Sequence, residues 1–544
     1  MTRRRFGPLA IGSLLLLLAA LWAAEPGLGR PRLFSRPSAS SQGLWMCGDM
    51  HQHTTYTDGD NPIRTVNYMN YRFGLDWWAN AEHGGGWSKD GYGPLLSHGF
   101  DTGQYARYWD DRRVYPPGNI LGDVSRSFGH RKMWRWQSIR DHAFADMLAA
   151  RSIYKKRVLI QGLEWNVPGH EHASVAILTG QFGPSPNARA LAAFEYMFDD
   201  NDRDKSGGRA QGWTKSRLTG YAKAMEAARW LQANHPGAGW LIPVHPEHEN
   251  LWRIEDFRDL SNAAPSYAFG FEGISGNQKT ARIGYSNLKV GHGTYGGAGI
   301  FTAQIGGLWD ALLGEGRAWW LFTNSDFHST SSAFWPGEYG KTWTFIADQD
   351  GDGSYSAQEI VAALRAGTSF VVLGDLINGL DFRASTAAGG TAAMGQTLRV
   401  RKGETVRITI RFKSPAVNRH GDVVAVHHID LISGRVTGRI HPSNPAYKIP
   451  SNPTTRIKAT FDGSDWTVDS EGWLTVGYDL KSIQESAYIR LRGTNLPPGT
   501  LFETDDKGNP ILDHEAVSNL GIDGETEAWR DLWFYSNPIF IKVS

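Results

Sequence analysis

From residue 44 onward, short apolar runs recur, and most of them abut polar residues able to hold a metal. Leu44-Trp45-Met46-Cys47 leads into Gly48-Asp49-Met50-His51-Gln52-His53. Leu75 to Ala81 ends in Glu82-His83, and Val158-Leu159-Ile160 runs on to Glu164. Ala173 to Leu178 follows His170-Glu171-His172, and Trp240 to Val244 ends in His245-Pro246-Glu247-His248. Tyr267 to Phe271 ends in Glu272, and Ala318 to Phe322 ends in Asn324-Ser325-Asp326-Phe327-His328. Short apolar runs bounded in this way predict buried strands. Helical periodicity lies between them, at Trp136 to Ala150 and at Leu218 to Ala233, the latter closed by Pro236 and Gly237. Strands alternating with helices, with chemistry at the strand ends, predict an α/β barrel whose site gathers on one face.

Past Gly374 the pattern changes. Val406, Ile408, Ile410 and Phe412 alternate onto one face, and Tyr488 to Arg492 and Pro538 to Val543 repeat the pattern. Short strands separated by Gly, Pro and Asn turns, without helical stretches, predict an all-β sandwich. The chain is therefore expected to divide into residues 44–374 and 375–544. His427 and His428 fall in the second part and read as structural.

At 544 residues the chain exceeds what one core supports. Its formal net charge of +1 gives no electrostatic case for nucleic acid. An anionic substrate, small or polymeric, must be held by local groups, for which Lys279 and Arg282 are candidates. One cysteine, Cys47, excludes an internal disulfide and reads as a buried thiol. Thr2-Arg3-Arg4-Arg5-Phe6 ahead of the apolar segment Leu9 to Ala24 reads as an export signal over residues 1–24. It resembles the twin-arginine type and implies a periplasmic or extracellular protein. No clean A-x-A cleavage site is visible, so a membrane anchor is the alternative. Residues 25–43, rich in Pro and Ser, form a linker.

His51 and His53 stand two apart in an extended segment and so share a face, with Asp58 returning from the turn. Paired imidazoles with a carboxylate suit a divalent transition metal. With Glu82-His83, Glu164, His245-Pro246 and Asp326-x-His328 following in order, the chain resembles the polymerase-and-histidinol-phosphatase (PHP) superfamily over residues 44–375. The resemblance implies a distorted seven-stranded (β/α) barrel holding two or three divalent metals (Zn, Mn or Fe) and hydrolysing phosphoesters. It further implies that His51, His53 and Asp326 bind one metal with Glu164 as bridge. Asp58, His83, His245 and His328 serve the others. One more histidine is expected after the bridging glutamate, and His172 is favoured over His170 because it directly precedes an apolar run. Motif two departs from the usual Asp-His by reading Glu82-His83.

Two long insertions separate the motifs. Gly84 to Trp136 is expected to be a lid, and Gln181 to Lys215 carries Asp200-x-Asp202-x-Asp204, read as a solvated acidic turn. A second constellation is independent of the barrel. Asp348-x-Asp350-x-Asp352-Gly353-Ser354, closed by Glu359, has the full spacing of a calcium loop. A strand precedes it, so it is not a full helix-loop-helix hand. Ser356 and Glu359 also form a capping box for a helix over Ala357 to Ala366, stopped by Gly367. Together these features predict an exported multi-metal phosphoesterase using a metal-activated hydroxide, with Glu164, Asp58 and Asp326 as its reactive carboxylates. The alternatives are a metal-dependent amide or ester hydrolase, and a catalytically silent metal-containing binding protein of the cell envelope.

Overall fold

The computed structural model describes residues 43–86, 88–89, 119–127, 130–248, 252–280 and 290–544. The export segment, Arg282 and most of the expected lid lie outside the described residues. No described helix is long and apolar enough to cross a membrane.

The predicted strands form at Gly43–Asp49, Trp77–Asn80, Val158–Trp165, Ala173–Ile177, Gly239–Pro243, Gly270–Ile274 and Trp320–Thr323. The first three pair in parallel, 43–49 with 77–80 and 77–80 with 158–165. Helix Ile63–Arg72 and the helical stretch from Arg135 to Ile153 supply their crossovers. Strand–helix alternation then breaks. Strand 158–165 pairs antiparallel with 173–177, and 173–177 pairs antiparallel with 239–243. The link 166–172 is too short for a crossover helix, so the chain must turn back as a hairpin. Strands 270–274 and 320–323 form a separate parallel ladder. A main-chain bond from Leu241 N–H to Tyr267 O, 2.9 Å, joins strand 239–243 to the approach to that ladder.

On its other side strand 43–49 pairs antiparallel with Gly340–Ala347, which pairs with Ser369–Leu373. Strand 369–373 continues antiparallel into Trp533–Ser536. The sheet therefore runs across Gly374, the position where a domain boundary is expected. Beyond it, strands 487–494, 428–435 and 456–462 extend the sheet, while a second, five-stranded sheet packs in the same core. Val406, Ile408, Ile410 and Phe412 are buried in strand Val406–Lys413, as their alternation predicts.

The expectation that residues 375–544 are all-β needs correcting. Helices Asp513–Leu520 and Gly524–Arg530 lie there, the second capped by Asp523, which accepts from Thr526 N–H at 2.8 Å. Each is short and buries a narrow stripe (Ala516 and Val517, then Ala528 and Trp529), too little periodicity to stand out. The acidic triplet in the second insertion is solvated only at Asp200, which is about half exposed, whereas Asp202 and Asp204 are buried. Asp204 is fully buried and accepts from Asp123 N–H at 2.9 Å, Trp136 Nε1 at 3.0 Å and Gly207 N–H at 3.1 Å. It ties the two insertions together.

Candidate metal centre

The site starts from the end of strand 43–49. Asp49 accepts from His51 N–H and Ser325 N–H, each at 2.8 Å, and Asp326 N–H donates to His51 O at 2.9 Å. His53 N–H donates to Phe327 O at 2.9 Å, so the His51–His53 segment runs alongside Asn324–His328. Glu164 N–H donates to Glu82 O at 2.9 Å, which sets His83 beside Glu164. These short main-chain links bring together residues far apart in sequence.

Glu164 is the hub. Its carboxylate lies 3.2 Å from His51 Nε2, 3.2 Å from His53 Nε2 and 2.7 Å from His83 Nδ1. His172 Nδ1 lies 2.9 Å from it and His245 Nε2 3.1 Å. Asp326 Oδ1 sits 3.0 Å from His51 Nε2 and 3.2 Å from His53 Nε2, while the two Nε2 atoms are themselves 3.2 Å apart. One N–H cannot serve two carboxylates and a second imidazole nitrogen at once. A divalent cation between them satisfies all of them, so the donor set fits a metal. Asp326 Oδ1 and Glu164 Oε2 are buried without a hydrogen-bond donor, as that fit requires.

A second group stands at the rim. Asp58 lies 3.4 Å from His53 Nδ1, 3.2 Å from His83 Nε2 and 3.5 Å from His328 Nε2. Three sets of side chains thus converge closely enough to share ions: His51, His53, Glu164 and Asp326; His53, Asp58, His83 and His328; and His83, Glu164 and His172. Their exposure is graded. Glu164 and Asp326 are 1% exposed, whereas Asp58 is 29%, His328 27% and His172 25% exposed. The rim is the part of the cluster that solvent reaches.

The electrostatics call for positive charge. Burial opposes charge on His51 and His53, yet the facing carboxylates outweigh it and hold both well above the ordinary imidazole range. His83 is likewise lifted to about 10 against its burial, by Glu164 and Asp58. Burial would raise Glu164, Asp58 and Asp326, but the surrounding imidazoles hold all three well below the usual carboxylate range. They are anions wherever a metal would be bound.

Two ligand candidates carry unusual backbones: His245 at φ 31° and Asp326 at φ 43°. Non-glycine residues in this region are strained and persist only where the surroundings hold them. His170 is not brought to the cluster. It stacks on Trp252 at 4.6 Å, with Nε2 3.5 Å from Asp256. Lys279 is engaged by Glu525 at 3.0 Å rather than free at the mouth.

The structure adds residues to which sequence reasoning gave no role. Glu272 holds His51 Nδ1 at 3.0 Å and accepts from Asn324 Nδ2 at 2.8 Å and the main-chain N–H of His245 at 3.2 Å, so it orients the His51 ring and ties down the backbone of His245. Its position after an apolar run was the available signal. Glu171, His245 and His248 form a further group able to share an ion. Glu82, the departure in motif two, turns away from the cluster. It accepts from Thr54 N–H at 3.2 Å, Thr57 Oγ1 at 2.5 Å and Asn80 Nδ2 at 2.7 Å, fixing the turn that presents Asp58.

In the acidic loop, Gly351 N–H and Gly353 N–H donate to Asp348 at 2.8 and 3.0 Å, with Gly353 at φ 76°. Asp348, Asp350 and Glu359 bring oxygens together, whereas Asp352 accepts from Ser354 N–H and Oγ, each at 2.7 Å. Glu359 closes the capping box with Ser356, and Gly367 ends the helix at φ 74°.

No protein-family model matches the chain, and no curated protein matches it. Among solved structures it is similar to a two-domain protein from Bacteroides vulgatus containing a predicted PHP-like metal-dependent phosphoesterase. The identity is 13% and the TM-score 0.33, over 89% of this chain and 98% of that one. The chain resembles the PHP superfamily in its ordered motifs, and those motifs meet in one cluster of metal-capable side chains.

Proposed function

We propose that this chain is an exported multi-metal hydrolase of phosphoesters. The observation that carries the reading is the carboxylate of Glu164 shared among His51, His53, His83, His172 and His245, with Asp326 closing the buried side. The strands 43–49, 77–80, 158–165, 173–177, 239–243, 270–274 and 320–323 are, in this reading, the seven staves of a distorted barrel. Residues 375–544 form the sandwich beside it.

His51, His53, Glu164 and Asp326 would hold one divalent ion of Zn, Mn or Fe, and Asp58, His83, His172, His245 and His328 the remainder. Such ions, when bound, supply Lewis acidity toward a water and toward the ester oxygens. The chain does the rest. Glu272 fixes the ring of His51 through Nδ1, leaving Nε2 to the centre. Asp58, ionised and at the rim, is placed to hold a proton of the attacking water. Glu164 and Asp326 are too buried to touch substrate, so their part is to bind and position.

His51→Ala with His53→Ala is expected to remove the transition metal and abolish hydrolysis while the fold persists by circular dichroism. Metal analysis of the purified protein, followed by phosphatase and phosphodiesterase substrates, tests the reading. Turnover of amide or ester substrates alone, or metal content unchanged in the double variant, overturns it.

Calcium in the 348–359 loop belongs to the same proposal. The clustered carboxylates of Asp348, Asp350 and Glu359 repel one another unless a cation compensates, so calcium should stabilise the fold by mass action. A calcium-selective chelator is expected to lower the melting temperature and added calcium to restore it. In Asp350→Ala this loop's share of the response should vanish with transition-metal content unchanged. A wild-type protein indifferent to calcium would leave an ordinary acidic turn before a capped helix.

A further inference from the structure

Glu171 and His248 stand against the histidine cluster but outside the three sets centred on Glu164 and Asp58. One ladder puts them there. Strands Ala173–Ile177 and Gly239–Pro243 pair antiparallel with Ala173 opposite Pro243, and Val244 N–H donates to His172 O at 3.2 Å. Glu171, two residues before the first strand, is thereby set beside His245, two residues after the second. His248 N–H then donates to His245 O at 3.0 Å, and that turn brings His248 back to the same place.

The three side chains meet at Glu171 Oε1. It lies 3.5 Å from His248 Nδ1 and 3.8 Å from His245 Nδ1. One donor atom from each of the three residues lies within 4.8 Å of the others. Spacings of 3.5 and 3.8 Å are long for hydrogen bonds. They are close to the edge of a tetrahedral ligand set, ~3.4 Å when each donor is about 2.1 Å from the ion. The ring of His245 serves two sides, its Nε2 lying 3.1 Å from Glu164 while its Nδ1 faces Glu171. Its backbone, at φ 31°, persists only where the surroundings enforce it. Glu171 is buried, whereas the His248 side chain is 21% exposed, so the group opens to solvent on one side.

We propose that Glu171, His245 and His248 hold a further divalent transition ion, joined to the central cluster through the two nitrogens of His245. Two imidazoles and one carboxylate suit zinc, with a fourth position left to water on the His248 side. When both nitrogens bind, the ring proton of His245 passes to solvent and the imidazolate bridges the ions. The site rests on the metal reading of the central cluster only through this shared ring.

The test is the zinc content of the full chain, saturated with zinc chloride and desalted, in wild type and in Glu171→Gln with His248→Ala. The double variant is expected to hold one zinc fewer per chain and to keep the rest. Equal zinc in the two proteins overturns the proposal. Loss of all zinc also overturns it, because the pair would then only support His245 within the central cluster. If His51→Ala with His53→Ala keeps all its zinc while Glu171→Gln with His248→Ala loses one, the central reading fails and this site stands. Anomalous diffraction at the zinc edge from wild-type crystals does not depend on the variants folding. A peak within ~2.3 Å of Glu171 Oε1, His245 Nδ1 and His248 Nδ1 is expected, and none there overturns the proposal.

Discussion

Glu164→Gln is expected to lower turnover by at least ~10³-fold and to strip the metal from more than one position. Its carboxylate lies within 3.2 Å of five imidazoles, so no other single side chain in the cluster serves as many partners. A neutral amide offers one acceptor oxygen and one donor nitrogen, and the donor opposes any cation. The backbone links from Glu164 N–H to Glu82 O and from Gly84 N–H to Glu164 O do not depend on the side chain, so the strand should persist. Inductively coupled plasma analysis and a phosphodiesterase assay on the same preparation check this. Wild-type metal content with turnover reduced less than tenfold would mean that the bridging charge lies elsewhere. Glu82 is then not the substitute, being turned to Thr54 and Thr57; Glu272, which touches His51, and Glu171, which faces His172 and His245, are the buried acids to test next.

Asp310→Ala is expected to destabilise the chain by ~3–5 kcal/mol, the scale for removing one partner of a buried ion pair. Asp310 accepts from Arg490 Nε and Nη2 at 2.8 and 2.9 Å, and both residues are essentially buried. Gly306 N–H also donates to Asp310, at 2.7 Å. The substitution leaves the Arg490 guanidinium buried beside Trp309 with its charge uncompensated. Urea unfolding monitored by tryptophan fluorescence measures the loss. Adding Arg490→Met should recover part of it, because the stranded charge goes too. A loss below about 1 kcal/mol would show that water reaches the guanidinium and that the pair is not a buried one. The pair joins helix Leu308–Gly314 to strand Ala487–Thr494, on opposite sides of Gly374. Together with the 369–373 to 533–536 ladder, it shows how closely the two halves of the chain are joined.

The sequence by itself determined what depends on neighbours a few residues apart. His51 and His53 share a face because extended backbone repeats every second residue, and their rings stand 5.2 Å apart. The capping box of Ser356 and Glu359 and the stop at Gly367 were readable because each closes within a few residues. So were the strands, since a run of buried apolar side chains marks its own burial.

Tertiary structure decided the rest. Nothing local says that strand 158–165 turns back on 173–177, or that Trp533–Ser536 joins strand 369–373 across the expected boundary. Those pairings depend on the register between segments up to more than a hundred residues apart. The same holds for the acids. Glu82, Glu171, Glu272 and Asp204 look alike along the chain, each an acid amid turns and strand ends. Only packing turns Glu82 toward Thr54, Glu272 toward His51 and Asp204 toward Trp136. A carboxylate's role follows from the donors that surround it once water is excluded, and the fold alone supplies those donors.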